Sequence, residues 1–303
     1  MSLTTDKAIE KGPAGPFSDV TRGILFCLLA ILFFTLMDAT TKGLAGRYDP
    51  LQLVWARYTG QVLLVGVLLA PRLGSVLRTA HPLMHALRSV CQFGATACFF
   101  LSLRHIGLAE ATAIMDINPV LITLAAALVL GERIGPRRAF GIAAALIGAL
   151  IVIRPGAGVF QPAALLPLAA AVFYAVFAVL TRKMGPSESI WTSLIYTALF
   201  GTIIASGLML LSWQPIARAD LWAFALVGGL GTLGQLCLIR AFTLAEASMI
   251  APFGYSGLIL ASFWGWLFYD TLPDAATVVG ALVIVGAGLY VWHRESAASR
   301  AAP

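Results

Sequence analysis

Two acids and a base stand in apolar surroundings where charge is expensive. Asp38 lies within LFFTLMDATTK, Arg57 within LVWARYTGQVLLVG, and Asp116 within ATAIMDINPVLITLAAALVL. A charged side chain at the centre of a membrane-crossing helix costs about 2.5–3.5 kcal/mol on insertion scales, so each needs a partner or a wet cavity. Polar companions recur at helical spacing. Gln61 shares a face with Arg57, Gln92 with Arg88, and Thr112 and Pro119 with Asp116. Asn118 precedes Pro119, which breaks the hydrogen-bond ladder and frees carbonyls for a cavity or a neighbouring helix. Asp38, Arg57, Gln61, Gln92, Asp116, Asn118 and Tyr255 are therefore the candidate substrate-binding residues. Two readings of the charged members stand side by side. They line a water-filled cavity and contact a zwitterionic solute, or they form ion pairs that hold helices together.

Catalytic patterns are missing from the sequence. It has no Walker A loop, HExxH, GxSxG or Cys-x-x-Cys. His81 and His85 are four apart, but Pro82 lies between them at a helix start, a poor metal pair. The expectation is neither an enzyme nor a holder of cofactor or metal. Without a nucleotide-binding motif, transport has to be facilitated or ion-coupled.

The elements that position these residues follow from composition. Of 303 residues, 59% are hydrophobic and 11% charged, with a mean hydropathy of +0.89. A soluble domain carries about 25% charged residues, so this chain could not cover a soluble surface. Apolar residues run in blocks such as LITLAAALVL instead of alternating, which favours helices over a transmembrane barrel. A span needs about 20 apolar residues. Blocks over 22–45, 51–70, 83–104, 108–130, 137–154, 162–182, 189–212, 219–240, 245–268 and 275–293 give ten predicted spans joined by short loops. Cys27, Cys91, Cys98 and Cys237 all fall in apolar blocks and read as small core residues. The first apolar block lacks a cleavage pattern and reads as a retained span.

Charge gives direction. Alternate loops plus both tails hold thirteen Lys and Arg, among them Arg72, Arg78, Arg137, Arg138 and Lys183; the opposite loops hold five, Lys42, Arg47, Arg104, Arg154 and Arg218. The positive-inside rule then places both termini in the cytoplasm of a bacterial inner-membrane protein. The net charge of +6 reflects that rule and not a nucleic-acid partner. From the helical rise of 1.5 Å per residue, Arg57 lies about 10 Å and Asp116 about 12 Å below the outer surface, in one layer with Asp38 and Lys42.

The chain repeats itself. LRHIGLAEATAIMDINPVL and IRAFTLAEASMIAPFGYSGL share LAEA at 108–111 and 244–247, with Arg104 and Arg240 preceding them at the same offset of 136. Phe33-Phe34 matches Phe173-Tyr174, and an acid, Glu132 or Asp270, precedes each final Gly-rich span. Two halves of five spans must enter the membrane from opposite sides, as in transporters with inverted repeats around a midplane site. Residues 1–20 form a predicted tail, 21–155 the first repeat, 156–294 the second, and 295–303 a second tail. The halves differ chemically. Asp38 aligns with Ala178 and Asp116 with Pro252, while the second half offers Tyr174, Tyr196, Gln235, Tyr255 and Trp264.

The span count, the LAEA junctions and GERI after the fourth block resemble the EamA-type drug/metabolite transporter superfamily over residues 22–293. The stretch DATTKGLAGRYDPLQLVWARY is similar to bacterial members that handle amino acids or S-adenosylmethionine, including amino-acid exporters of the YddG type. That resemblance implies an all-α membrane fold, alternating access, a small-molecule substrate and outward transport of an amino acid or related metabolite, by a monomer or homodimer in the lipid bilayer. S-adenosylmethionine uptake and proton-coupled drug export are the alternatives on the same fold. An intramembrane lipid-modifying enzyme is the alternative from another class, and it lacks a visible nucleophile.

Overall fold

A computed structural model describes residues 19–130, 136–154, 161–184, 188–210, 212–244 and 251–301. The described residues form helices and turns without a strand, as apolar segments must when lipid offers no partner for free backbone groups. The helices are α1 (Asp19–Ala45), α2 (Pro50–Leu69), the single turn α3 (Leu73–Val76), α4 (Pro82–Leu103), α5 (Leu108–Met115), α6 (Asn118–Leu130), α7 (Pro136–Ile153), α8 (Leu165–Met184), α9 (Ile190–Met209), α10 (Leu221–Leu244), α11 (Ser256–Tyr269) and α12 (Ala275–Ala301). Six helical stretches, within residues 21–45, 50–76, 82–103, 162–181, 190–209 and 218–241, are long and apolar enough to cross a membrane. Helix starts are set by local chemistry. The Asp49 carboxylate accepts from the Leu51 N–H at 2.8 Å, ahead of Pro50 at the first helical position. The Ser189 hydroxyl accepts from the Trp191 N–H at 3.2 Å before α9. Asp270 ends α11 in the left-handed region (φ 52°), its N–H reaching the Trp266 carbonyl.

Contacts between helices cross from the first half of the chain to the second. α1 packs on α10, α4 on α8 and α9, α2 on α9 and α10, α7 on α12, α6 on α8, and α11 on α1 and α5. Small residues let backbones meet where these helices cross. A Cβ on Gly60 would come within 2.6 Å of the Gly228 Cα, and one on Gly148 within 2.9 Å of the Gly280 carbonyl oxygen. The interior is built on Ala39, Leu44, Leu53, Val54, Tyr58, Phe100, Ala170 and Val227, whereas Val67, Leu83, Phe140, Leu210 and Ile259 are exposed outside. An apolar exterior around a packed, Ala-rich interior fits hydrocarbon and not water.

Most helical segments begin and end within a few residues of the predicted blocks, but α12 runs on to Ala301 through the predicted tail, α11 starts only at Ser256, and one block is divided. The block at 108–130 is two helices, because the ladder breaks at Asp116-Ile117 ahead of Pro119. Likewise a 3₁₀ turn, Ala251–Tyr255, precedes α11. Residues 245–247 of the second LAEA, Glu132 with GERI at 131–134, and the first eighteen residues lie outside the described residues.

Candidate functional site

Arg57 sits mid-way along α2, and three other helices meet it. Its Nη1 donates to the Thr96 hydroxyl on α4 at 2.9 Å, and its guanidinium lies 6.0 Å from the Phe100 ring. The Thr96 hydroxyl also bonds the Tyr58 hydroxyl at 2.9 Å, and Tyr58 reaches the Gln92 carbonyl at 3.2 Å. Gly231 on α10 leaves room for this base, since a Cβ there would meet the Arg57 Cγ at 3.3 Å. Asp38 on α1 and Tyr174 on α8 are the ionisable neighbours that feel the Arg57 charge. Asp38 closes no salt bridge with it. Two buried polar atoms in this group have no partner among the described residues: Arg57 Nε and, one turn from Thr96 on α4, the side-chain Oε1 of Gln92. Buried polar groups in native proteins are almost always bonded. An unsatisfied donor and an unsatisfied acceptor around one guanidinium therefore have the chemistry to hold a polar ligand.

A second group lies where α5 gives way to α6. Pro119 cannot donate a backbone N–H, and Asp and Asn compete with helical bonding through their own side chains. The chain turns through Ile117, whose N–H reaches the Ile114 carbonyl at 3.3 Å. Asp116 Oδ2 and Asn118 Oδ1 are buried there without a hydrogen-bond partner. Tyr255, at the end of the 3₁₀ turn before α11, is the ionisable neighbour of Asp116. Its hydroxyl occupies the space that a side chain on Gly288 of α12 would fill. Asp116, Asn118 and Tyr255 thus belong to one place, and Asp38, Arg57 and Gln92 to another. Gln61, one turn beyond Arg57, is 5% exposed.

Two further cations have partners that the sequence does not name. Asp38 and Lys42, four apart on α1, do not pair: the Lys42 ammonium donates to the carbonyls of Leu103 (3.2 Å) and Ile106 (2.7 Å), beyond the end of α4. Those carbonyls terminate a helix and carry its negative dipole end, which suits an ammonium. Arg88 does not present a polar stripe with Gln92. It is buried between helices, donating to the Thr197 hydroxyl at 2.7 Å, to the Thr181 hydroxyl at 3.4 Å and to the Ser193 carbonyl. Its guanidinium lies over the Phe177 ring at 5.0 Å. Arg88 is a tether between α4, α8 and α9.

Two polar clasps were not anticipated, at opposite ends of α2. At its start, Asp220 accepts from Arg47 Nη1 (2.9 Å) and from the Tyr48 hydroxyl (2.7 Å), while Gln52 donates to the Gln214 carbonyl at 2.8 Å. Beyond its end, Glu188 accepts from the Thr79 hydroxyl at 2.6 Å and the Ala80 N–H at 3.2 Å, and lies 3.5 Å from His85 Nε2. The Thr79 bond, first among several, holds the Glu188 carboxyl below the usual carboxylate range. The available sequence signal was that Glu188 and Asp220 are acids just ahead of apolar blocks.

Comparisons with known proteins agree with this architecture. A protein of solved crystal structure shares the fold with a TM-score of 0.63 at 21% identity, covering 89% of this chain and 96% of that one. The pseudopaline exporter CntI of Pseudomonas aeruginosa is 30% identical over 87% of this chain and 93% of its own length. A riboflavin transporter of Rhizobium johnstonii is 29% identical over 90% and 91%. An S-adenosylmethionine uptake transporter of Rickettsia prowazekii is 24% identical over 90% and 93%. The family signature matches twice, over residues 21–154 and 161–292, and with those two matches the chain belongs to the EamA-like transporter family.

Proposed function

We propose that the protein exports an amino acid or related zwitterionic metabolite across the inner membrane by alternating access, through ten spans arranged as two inverted halves of five. The observation that carries the substrate class is the set of unsatisfied polar groups around Arg57, with Asp38 beside it. A guanidinium offers planar donors to a substrate carboxylate, and Asp38 offers an anionic counterpart for an ammonium. Gln92 and Tyr174 complete this group, while Asp116, Asn118 and Tyr255 form a separate group at the helix break. Gln61 lies one turn further along α2.

Packing supports the inverted arrangement. Exchanging each first-half span for its second-half equivalent turns the α1–α10 contact into the α8–α4 contact, and the α2–α10 contact into α9–α4. It returns α2–α9 and α7–α12 to themselves. In both of the first pair of contacts a phenylalanine lies against a glycine, Phe173 of α8 against Gly94 of α4 and Phe34 of α1 against Gly234 of α10. The broken fourth span, α5–α6, has its counterpart in the 3₁₀ turn before α11. Discontinuous spans at a repeat interface are where transporters of this kind bind solute and coupling ion. With both termini cytoplasmic, the Asp220 clasp faces outward and the Glu188 clasp inward.

Flux in proteoliposomes of purified protein tests the reading, using labelled amino acids and S-adenosylmethionine. Saturable flux of an amino acid is expected. Arg57→Gln should lower it at least tenfold in protein that still purifies folded. A second reading, uptake of S-adenosylmethionine, is favoured by Asp38 and Asp116 lying in the interior near aromatic rings, and by the Rickettsia relative. Flux of that cation alone would select it.

A further inference from the structure

Asp116 has no counter-charge among the described residues. Its Oδ2 and the neighbouring Asn118 Oδ1 are both buried acceptors without a donor among the described residues. Four cations of this half are engaged elsewhere. Arg57 donates to Thr96, Lys42 to two backbone carbonyls, Arg88 to α9, and Arg154 pairs with Asp274. Around the break, Ile117 and Val120 pack with Ala145 and Ala149 of α7, Ala171 of α8, and Ile284 and Ala287 of α12. On the other side, Ala113 and Ile114 meet Val152 of α7 and Leu258 of α11. The titratable group that faces Asp116 from all these elements is the Tyr255 phenol. From α1, Asp38 looks to Arg57 and Lys42 to Glu110. The break supplies one more acceptor, since Pro119 withholds the N–H that the Met115 carbonyl would take in a continuous helix.

An ionised carboxylate so placed bears a desolvation penalty of several kcal/mol. Neutralisation by one proton removes it and turns one of the orphan acceptors into a donor. We propose that Asp116 is a proton-coupling site: it takes one proton from the aqueous phase on one face, becomes a carboxyl, and releases that proton to the opposite face as the halves exchange conformations. No bond other than O–H forms or breaks, and the proton moves against the exported solute. The coupling role rests on the transport reading; the proton-binding role does not.

Difference infrared spectroscopy of the purified full chain at neutral pH separates the two. A buried carboxyl band present in the wild type, absent in Asp116→Asn and shifted in Asp116→Glu is expected. Absence of any such band in folded wild type overturns the proposal. Imposed gradients across proteoliposomes then test coupling. Amino-acid flux should change at least tenfold with a pH gradient in the wild type and in Asp116→Glu, and should ignore the gradient in Asp116→Asn. Flux that follows a sodium gradient, or neither gradient, overturns the coupling. If none of the tested solutes moves, the transport reading fails, while the infrared band still decides whether Asp116 carries a proton.

Discussion

Arg57 is held through one terminal nitrogen, and its Nε is left over. The Thr96 hydroxyl that holds it also serves Tyr58 and its own helix, donating to the Gln92 carbonyl at 3.1 Å. Thr96→Val keeps the shape and removes all of this. A hydrogen bond to a charged group contributes about 1.5–3 kcal/mol and a neutral one about 1 kcal/mol. Thr96→Val should therefore lower the melting temperature in detergent clearly more than Tyr58→Phe, which removes neutral bonds alone. Equal shifts would mean that the guanidinium does not depend on Thr96. Arg57 itself was legible as a charge in an apolar block. Thr96 was not, because a threonine in a helix ordinarily bonds its own preceding turn and gives no sign of a partner on another helix. Arg88 was misread for a related reason. Helical spacing shows which residues share a face, but not whether that face meets a cavity or the hydroxyls of α8 and α9.

Glycine separates the close crossings from the helices that merely run beside lipid. Gly60 and Gly228 meet backbone to backbone, and Gly148 meets Gly280, so a methyl group in either place forces two helices apart. Gly66 and Gly207 have nothing within 4 Å of the same methyl position. Alanine there should raise the melting temperature slightly, because glycine costs a helix about 0.5–1 kcal/mol relative to alanine. Gly60→Ala and Gly148→Ala should instead lower it by several degrees or abolish expression. The same substitution thus has opposite signs on one helix, α2, at Gly60 and Gly66, and thermal unfolding of the two variants reads it directly. At this scale most helix starts are legible in the sequence, since Pro, Asp and Ser at those points act locally, whereas the continuation of α12 to Ala301 is not. The helix break at Asp116 was signalled by Pro119. The 3₁₀ turn at Ala251–Tyr255 had a signal in Pro252, but it emerged only once both halves were seen to interrupt the same span. Which glycines face a neighbour was not legible, because GxxG spacing looks alike toward protein and toward lipid.

Across the whole molecule, the alternating access proposed above would require that each end open while the other stays shut, and each end has its own acid. Glu188 binds Thr79 and Ala80 and lies 3.5 Å from His85 Nε2; Asp220 binds Arg47 and Tyr48. These contacts join the first half of the chain to the second at opposite ends of α2. Because Glu188 titrates below its unfolded value of about 4.3, the ionised clasp contributes fully at neutral pH. That contribution is lost as the pH falls through the lower folded value. Thermal unfolding between pH 7 and pH 3 should show this acid limb in the wild type and less of it in Glu188→Gln. The clasps should also act on access in opposite directions. With a thiol at Gln92→Cys, in a background free of the native cysteines, Glu188→Gln should speed labelling by a reagent applied from the cytoplasmic side, and Asp220→Asn by one applied from outside. A severalfold change confined to the matching side in each variant is the expected pattern. Equal acceleration from both sides would mean that the clasps only stabilise the fold. Acceleration on the crossed sides would mean that the chain sits in the membrane the other way up, with the positive loops outside.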